Sequence, residues 1–166
     1  MIAVVFGVAG VGKTTIGKLL AKELGWQFYE ADDFHPPANI DKMKQGEPLT
    51  DEDRQPWLER LRERVERSLA ANENAVLACS ALKKKYRDRL RVNRDVKFVF
   101  LRGDRARIAA QLKRRGGHFF DPKLLDSQFA DLEEPKPEEK AITVELGDDA
   151  GQLIAKIKAS LREASR

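Results

Sequence analysis

Five short apolar runs recur along the chain, and between them apolar residues fall three and four apart. Ile2-Ala3-Val4-Val5-Phe6 is uninterrupted and β-branched, the pattern of a parallel strand buried on both faces. Ile16, Leu19, Leu20 and Leu24 follow at helical spacing. Trp26-Gln27-Phe28-Tyr29 predicts a second strand, residues 75–79 a third, 96–101 a fourth and 141–146 a fifth. Asn39 to Lys44 predict a short helix, kept from starting at once by Pro36-Pro37 and ended by Gly46. Thr50, followed by Asp51-Glu52-Asp53, marks a helix start: a capping hydroxyl, then acids where the helix dipole favours them. Trp57, Leu58, Leu61, Val65 and Leu69 form the apolar face of that helix. Residues 83–91 read as a basic helix, and Asp104 caps another carrying Ile108 and Leu112. Pro122 opens a helix with Leu124, Leu125, Phe129 and Leu132 inward, and Leu153, Ile154, Ile157 and Leu161 line the last. Parallel strands need crossover helices, so this alternation predicts a doubly wound, three-layer α/β/α fold on a five-stranded parallel sheet. The chain has no internal repeat, and 166 residues make one domain, 1–166.

The first strand-to-helix turn carries the chemistry. It reads Gly7-Val8-Ala9-Gly10-Val11-Gly12-Lys13-Thr14, a P-loop in the strand–turn–helix context that gives the motif its meaning. Its glycines lack the Cβ atoms that would keep the backbone from wrapping a phosphate. The exposed N–H groups and the positive end of the next helix then cradle an anion. The expected nucleotide contacts are Gly7, Val8, Ala9, Gly10, Val11, Gly12, Lys13, Thr14 and Thr15. Within that set Lys13 reaches the terminal phosphates of a nucleoside triphosphate and the Thr14 hydroxyl ligates Mg²⁺.

Three further stretches bear on the site, each with two readings. Glu30-Ala31-Asp32-Asp33-Phe34-His35 follows the second strand, where ligands collect in open parallel sheets; its carboxylates face Mg²⁺ or a substrate hydroxyl, or else form a solvated acidic turn. The third strand ends in Ser80 rather than the Asp of a Walker-B strand, so a metal carboxylate must come from Asp32 or its neighbours. Arg114-Arg115-Gly116-Gly117-His118 suits a lid, about 114–122, carrying charge to phosphates, or an ordinary helix C-terminus. Arg54, in the first turn of its helix, lies near the ligand end of the sheet or is merely ion-paired.

Composition narrows the class. A 42% hydrophobic share is that of a globular protein, and the single Cys79 forms no intrachain disulfide, which fits a reducing cytoplasm. The first apolar run is short and belongs to the P-loop strand, so it is neither a signal peptide nor a membrane span. Net charge is +4, and the basic run Lys83-Lys84-Lys85-Tyr86-Arg87-Asp88-Arg89 lacks an aromatic ladder, which argues for a solvated face over nucleic acid. A guanine-nucleotide switch is disfavoured, because no Asn-Lys-x-Asp signature occurs.

Longer stretches resemble a known family. Ala31-Asp32-Asp33-Phe34-His35-Pro36, Gly46-Glu47-Pro48-Leu49-Thr50-Asp51-Glu52-Asp53-Arg54-Gln55-Pro56-Trp57-Leu58, Cys79-Ser80-Ala81-Leu82-Lys83, Gly117-His118-Phe119-Phe120 and Gln128-Phe129 through Pro135 run in the order seen in gluconokinases of the small P-loop type. These are relatives of the shikimate and nucleoside monophosphate kinases. The resemblance covers the chain almost from end to end, with Glu30 where the family carries Asp. It implies ATP- and Mg²⁺-dependent phosphorylation of the C6 hydroxyl of D-gluconate, a substrate-capping segment at about 35–60, and a homodimer. On that reading Asp32 orients and deprotonates the hydroxyl and helps Thr14 hold Mg²⁺, while Lys13 and Arg115 neutralise charge on the transferred group. Arg54, Lys83 and Arg87 clamp the acid, with His35 and His118 as further substrate contacts.

Overall fold

The computed structural model describes residues 1–114, 122–147 and 149–166. Its sheet has the order β2-β3-β1-β4-β5, all parallel: β1 (Ile2–Phe6), β2 (Gln27–Glu30), β3 (Ala75–Ala78), β4 (Val96–Arg102) and β5 (Ile142–Glu145). The uninterrupted apolar run of β1 fits its place as the central strand, where both faces are covered, and every residue of it is buried. β5 alternates buried Val144 with exposed Thr143 and Glu145, as an edge strand does.

The pleat sends alternate residues of β1 into two cores. Ala3 and Val5 pack with Val76, Val99 and Leu101 beneath α1 (Lys13–Leu24) and α7 (Ala150–Ala164), which contribute Ile16, Leu20, Ile154 and Ile157. Ile2, Val4 and Phe6 pack with Leu77, Phe98 and Phe100 beneath α3 (Asp51–Ala70) and α4 (Lys84–Leu90), through Trp57, Leu61, Tyr86 and Leu90. The expected α/β/α layering is therefore present.

Local signals acted as their chemistry requires. Thr50 accepts from the Asp53 N–H while the Asp53 carboxylate accepts from the Thr50 N–H, a capping box that starts α3. Asp104 Oδ1 takes the Arg107 N–H at 2.8 Å and caps α5 (Arg105–Arg114). Several boundaries shift by a residue or two, and α2 (Pro37–Lys44) begins on Pro37 itself instead of at Asn39. Proline is acceptable there because a first-turn N–H has no helical partner to lose. α6 (Pro122–Asp131) completes the helices.

Candidate active site

The P-loop leaves β1 and passes between the carboxyl ends of β3 and β4, where open α/β sheets bind ligands. Gly10 has φ +81°, and a Cβ there would stand 2.6 Å from Leu112 Cγ of α5, so only glycine fits beneath that helix. Gly12, at φ 104°, turns the chain into α1 with no side chain capping the helix end. Lys13 lies back across the loop, its Nζ donating to the Val8 carbonyl at 3.0 Å. Burial lowers the Lys13 pKa, against the opposing pull of Asp32, Cys79 and Glu30.

Glu30, the last residue of β2, accepts from Thr14 Oγ1 at 2.5 Å. Burial raises the Glu30 pKa and nearby Asp32 adds to the rise, while the Thr14 hydroxyl opposes it. The chain then makes a single 3₁₀ turn, Ala31–Phe34. Ala31 is buried and its carbonyl accepts from Trp57 Nε1 at 2.8 Å, which pins the turn to α3. Asp32, by contrast, keeps a side chain 73% exposed at the cleft.

His35 is sandwiched into this wall. Its ring stacks on Trp57 at 4.5 Å and 10°, and Asn39 Nδ2 meets its Nδ1 at 3.1 Å. The same Nδ2 donates to the Asp53 carbonyl at 2.8 Å, which fixes the Asn39 amide as the donor. Nδ1 must then accept, so Nε2 carries the proton and faces Asp32, 3.9 Å away. Burial holds the His35 pKa down, Asp32 opposing and Arg54 assisting, so the ring is a neutral N–H donor near pH 7.

Arg54 is 7% exposed, with Nη1 donating to Tyr86 Oη at 2.9 Å and Nη2 to Asp131 at 3.2 Å. Tyr86 in turn donates to Asp51, whose carboxylate also receives Lys83 at 3.0 Å and Lys85 at 2.6 Å. Lys85, Tyr86 and Lys83 together hold the Asp51 carboxyl far below the usual carboxylate range.

One cleft of about 180 Å³ brings together Ala9, Lys13, Glu30, Asp32, His35 and Arg54, with Trp57, Ser80, Leu124, Ser127 and Gln128 in its walls and Met43, Glu47, Pro48 and Leu49 of the expected capping segment beside them. Two expected clamp residues are not there. Arg87 is fully buried in the second core, with Nε and Nη2 on Glu139 at 2.8 and 3.2 Å and Nη1 on the Ala81 and Leu82 carbonyls at 3.0 Å each. It is a structural cation with no face left for substrate. Lys83 is tied to Asp51 outside the cleft wall, its Nζ 5.8 Å from the centre of the Tyr86 ring, and is linked to Arg54 through Tyr86 and Asp51. Arg115 and His118, with most of the expected lid, lie outside the described residues.

Trp57, Asn39, Ser127 and Gln128 belong to the site although no role for them follows from the sequence, and Glu30 joins Asp32 there as one of the carboxylates expected to face Mg²⁺ or a substrate hydroxyl. Glu30 carried a signal in its place at a strand's carboxyl end. The others read as core or as ordinary helix surface.

This arrangement, a phosphate loop facing a carboxylate and a buried arginine across one cleft, is that of a small-molecule kinase. A family model described as shikimate kinase matches residues 9–152, and the chain belongs to that family of P-loop kinases. Within it, the chain is a member of the gluconokinases. It is 47% identical to a gluconokinase of Gluconobacter oxydans over 142 residues, 85% of this chain and 80% of that protein. Against the thermosensitive gluconokinase of Escherichia coli it is 45% identical over 163 residues, 97% of this chain and 85% of the other. The crystal structure of a gluconokinase from Sinorhizobium meliloti superposes with a TM-score of 0.88 at 40% identity, covering 97% of this chain and 91% of that one.

Proposed function

We propose that this chain transfers the γ-phosphoryl group of ATP to the C6 hydroxyl of D-gluconate, giving 6-phosphogluconate and ADP. The observation that carries the reading is the placing of Lys13, Asp32 and Arg54 around one cleft, a phosphate-binding amine and a carboxylate with a buried guanidinium across from them. The P-loop amides hold the triphosphate, and Lys13 exchanges the Val8 carbonyl for phosphate oxygens. Arg54 binds the sugar carboxylate, which points the far end of the polyol toward the P-loop. Asp32 accepts the hydroxyl proton as that oxygen bonds to the γ-phosphorus and the bond to the β–γ bridging oxygen breaks. His35 donates from Nε2 to a substrate oxygen or to Asp32 itself.

Thr14, Glu30 and Asp32 supply hard oxygen donors beside the loop, a set that suits Mg²⁺ completed by water and phosphate. When bound there, the ion offsets phosphate charge. We assign Arg115 to neutralising charge on the transferred group and His118 to substrate contact, in a single domain that works as a homodimer. No helix among the described residues is long and apolar enough to cross a membrane, and we place the enzyme in the cytosol.

ADP release in a coupled assay with Mg²⁺, with gluconate present and absent, tests the proposal. Stimulation by gluconate and not by shikimate is expected. Equal ADP release with and without gluconate would overturn it.

A further inference from the structure

One face of α6 is built into the cleft. Leu124, Ser127 and Gln128 line it and Asp131 holds Arg54, a spacing of three, four and seven residues that marks a single helical stripe. Gln128 also reaches the P-loop: its Oε1 accepts from the Ala9 N–H at 3.0 Å. A backbone N–H can only donate, so the amide oxygen must face the loop and the orientation is settled. The Nε2 amino group, with two donors and no partner among the described residues, is then left for whatever fills the cleft.

Its place along the acceptor follows from the helix. Gln128 and Asp131 are three residues apart, an axial rise of about 4.5 Å. Asp131 marks the Arg54 end and Ala9 the phosphate end. An acceptor with its carboxylate on Arg54 and its terminal hydroxyl at the P-loop therefore passes Gln128 with its middle. A neutral amide suits that stretch, because hydroxyls there need direction and not charge.

We propose that Gln128 is a specificity residue, anchored by its carbonyl on the P-loop and donating from Nε2 to a mid-chain hydroxyl of the polyol acid. The assignment rests on the gluconate reading above. It ties acceptor recognition to the loop that holds the phosphate donor, through a helix that sequence periodicity marks only as packing.

The test is calorimetric titration of gluconate and its mid-chain monodeoxy analogues into wild type, Gln128→Met and Gln128→Glu, with a non-hydrolysable ATP analogue titrated separately. Glu keeps an acceptor for Ala9 but has no donor, so it probes Nε2 even if the Met variant folds poorly. Gln128→Met is expected to weaken gluconate three- to tenfold, the loss of one neutral hydrogen bond, roughly. Its nucleotide affinity should stay within about twofold, since no P-loop amide is removed. One monodeoxy analogue should lose that same factor on wild type and nothing further on either variant. Unchanged gluconate affinity in both variants, or weakened nucleotide with gluconate untouched, would overturn the proposal and leave Gln128 a brace for the loop. Wild type that binds no gluconate at all would instead overturn the substrate reading, and this assignment with it.

Discussion

Replacing Arg87 with Met is expected to cost the enzyme its stability and not its grip on substrate. The guanidinium is fully buried, commits Nε, Nη1 and Nη2 to the Glu139 carboxylate and two backbone carbonyls, and lies 5.0 Å from the centre of the Phe6 ring. Glu139 keeps a side chain only 2% exposed, so removal of the cation strands a carboxylate inside the protein together with the Ala81 and Leu82 carbonyls. Breaking one side of a buried pair costs about 3–5 kcal/mol. That is a large share of the 5–15 kcal/mol, roughly, that holds a domain together. At roughly 2–4 °C per kcal/mol for a chain of this size, Tm should fall by about 6–20 °C.

The pair also predicts how its own loss is repaired. Arg87→Met combined with Glu139→Leu removes both charges and restores apolar contact, so the double variant should melt above either single one. Acid supplies an independent reading. Burial alone would raise the Glu139 pKa, but hydrogen bonds from Arg87 and the Lys136 N–H, with the charges of Arg87 and Arg91, hold it below the ordinary carboxylate range. A folded pKa below the unfolded value stabilises fully above the unfolded value, about 4.3, and that contribution disappears as pH falls through the folded one. Thermal melts followed by circular dichroism from pH 7 to 3, beside gluconate KM at 25 °C, measure both effects. The Glu139→Gln substitution should flatten the acid limb. An Arg87→Met enzyme with wild-type Tm and a raised gluconate KM would refute this reasoning and return Arg87 to the substrate.

Asp32→Asn should lower kcat by about 100-fold or more with a smaller change in KM, because a base acts in the transition state; a change in KM alone would make Asp32 a binding residue. Arg54→Leu should raise gluconate KM by about 30-fold or more, the loss of a desolvated charged contact, and leave ATP KM unaltered; weakened ATP would move Arg54 to the nucleotide side. The Cys79 thiol, fully buried just past the end of β3, has its pKa pushed up to about 12 by burial, so it should resist a thiol reagent at pH 8 until the protein is unfolded. Labelling of the native enzyme would contradict that burial.

What could be read from the chain and what could not divide along a physical line. Strands, helix starts and the P-loop are local statements. An uninterrupted Ile2–Phe6 run, a Thr50 with Asp53 three residues on, and a glycine turn between strand and helix each act within a few residues, and each appears where expected. Arg87 failed because residues 83–91 look like a solvated basic face, and its partner Glu139 sits 52 positions away in a Pro-containing charged stretch. Hydrophobic periodicity reports which carbons leave water. It is blind to a cation that leaves water in the company of an anion, since both spell as surface. The same blindness hid Gln128. Leu125 of α6 faces the core, while Ser127, Gln128 and Asp131 face a polar cleft that in sequence cannot be told from solvent. The residues misjudged are therefore those whose burial is polar, and in a kinase that binds a hydroxyl-rich acid such residues share the acceptor cleft with apolar ones, Met43, Pro48, Leu49, Trp57 and Leu124.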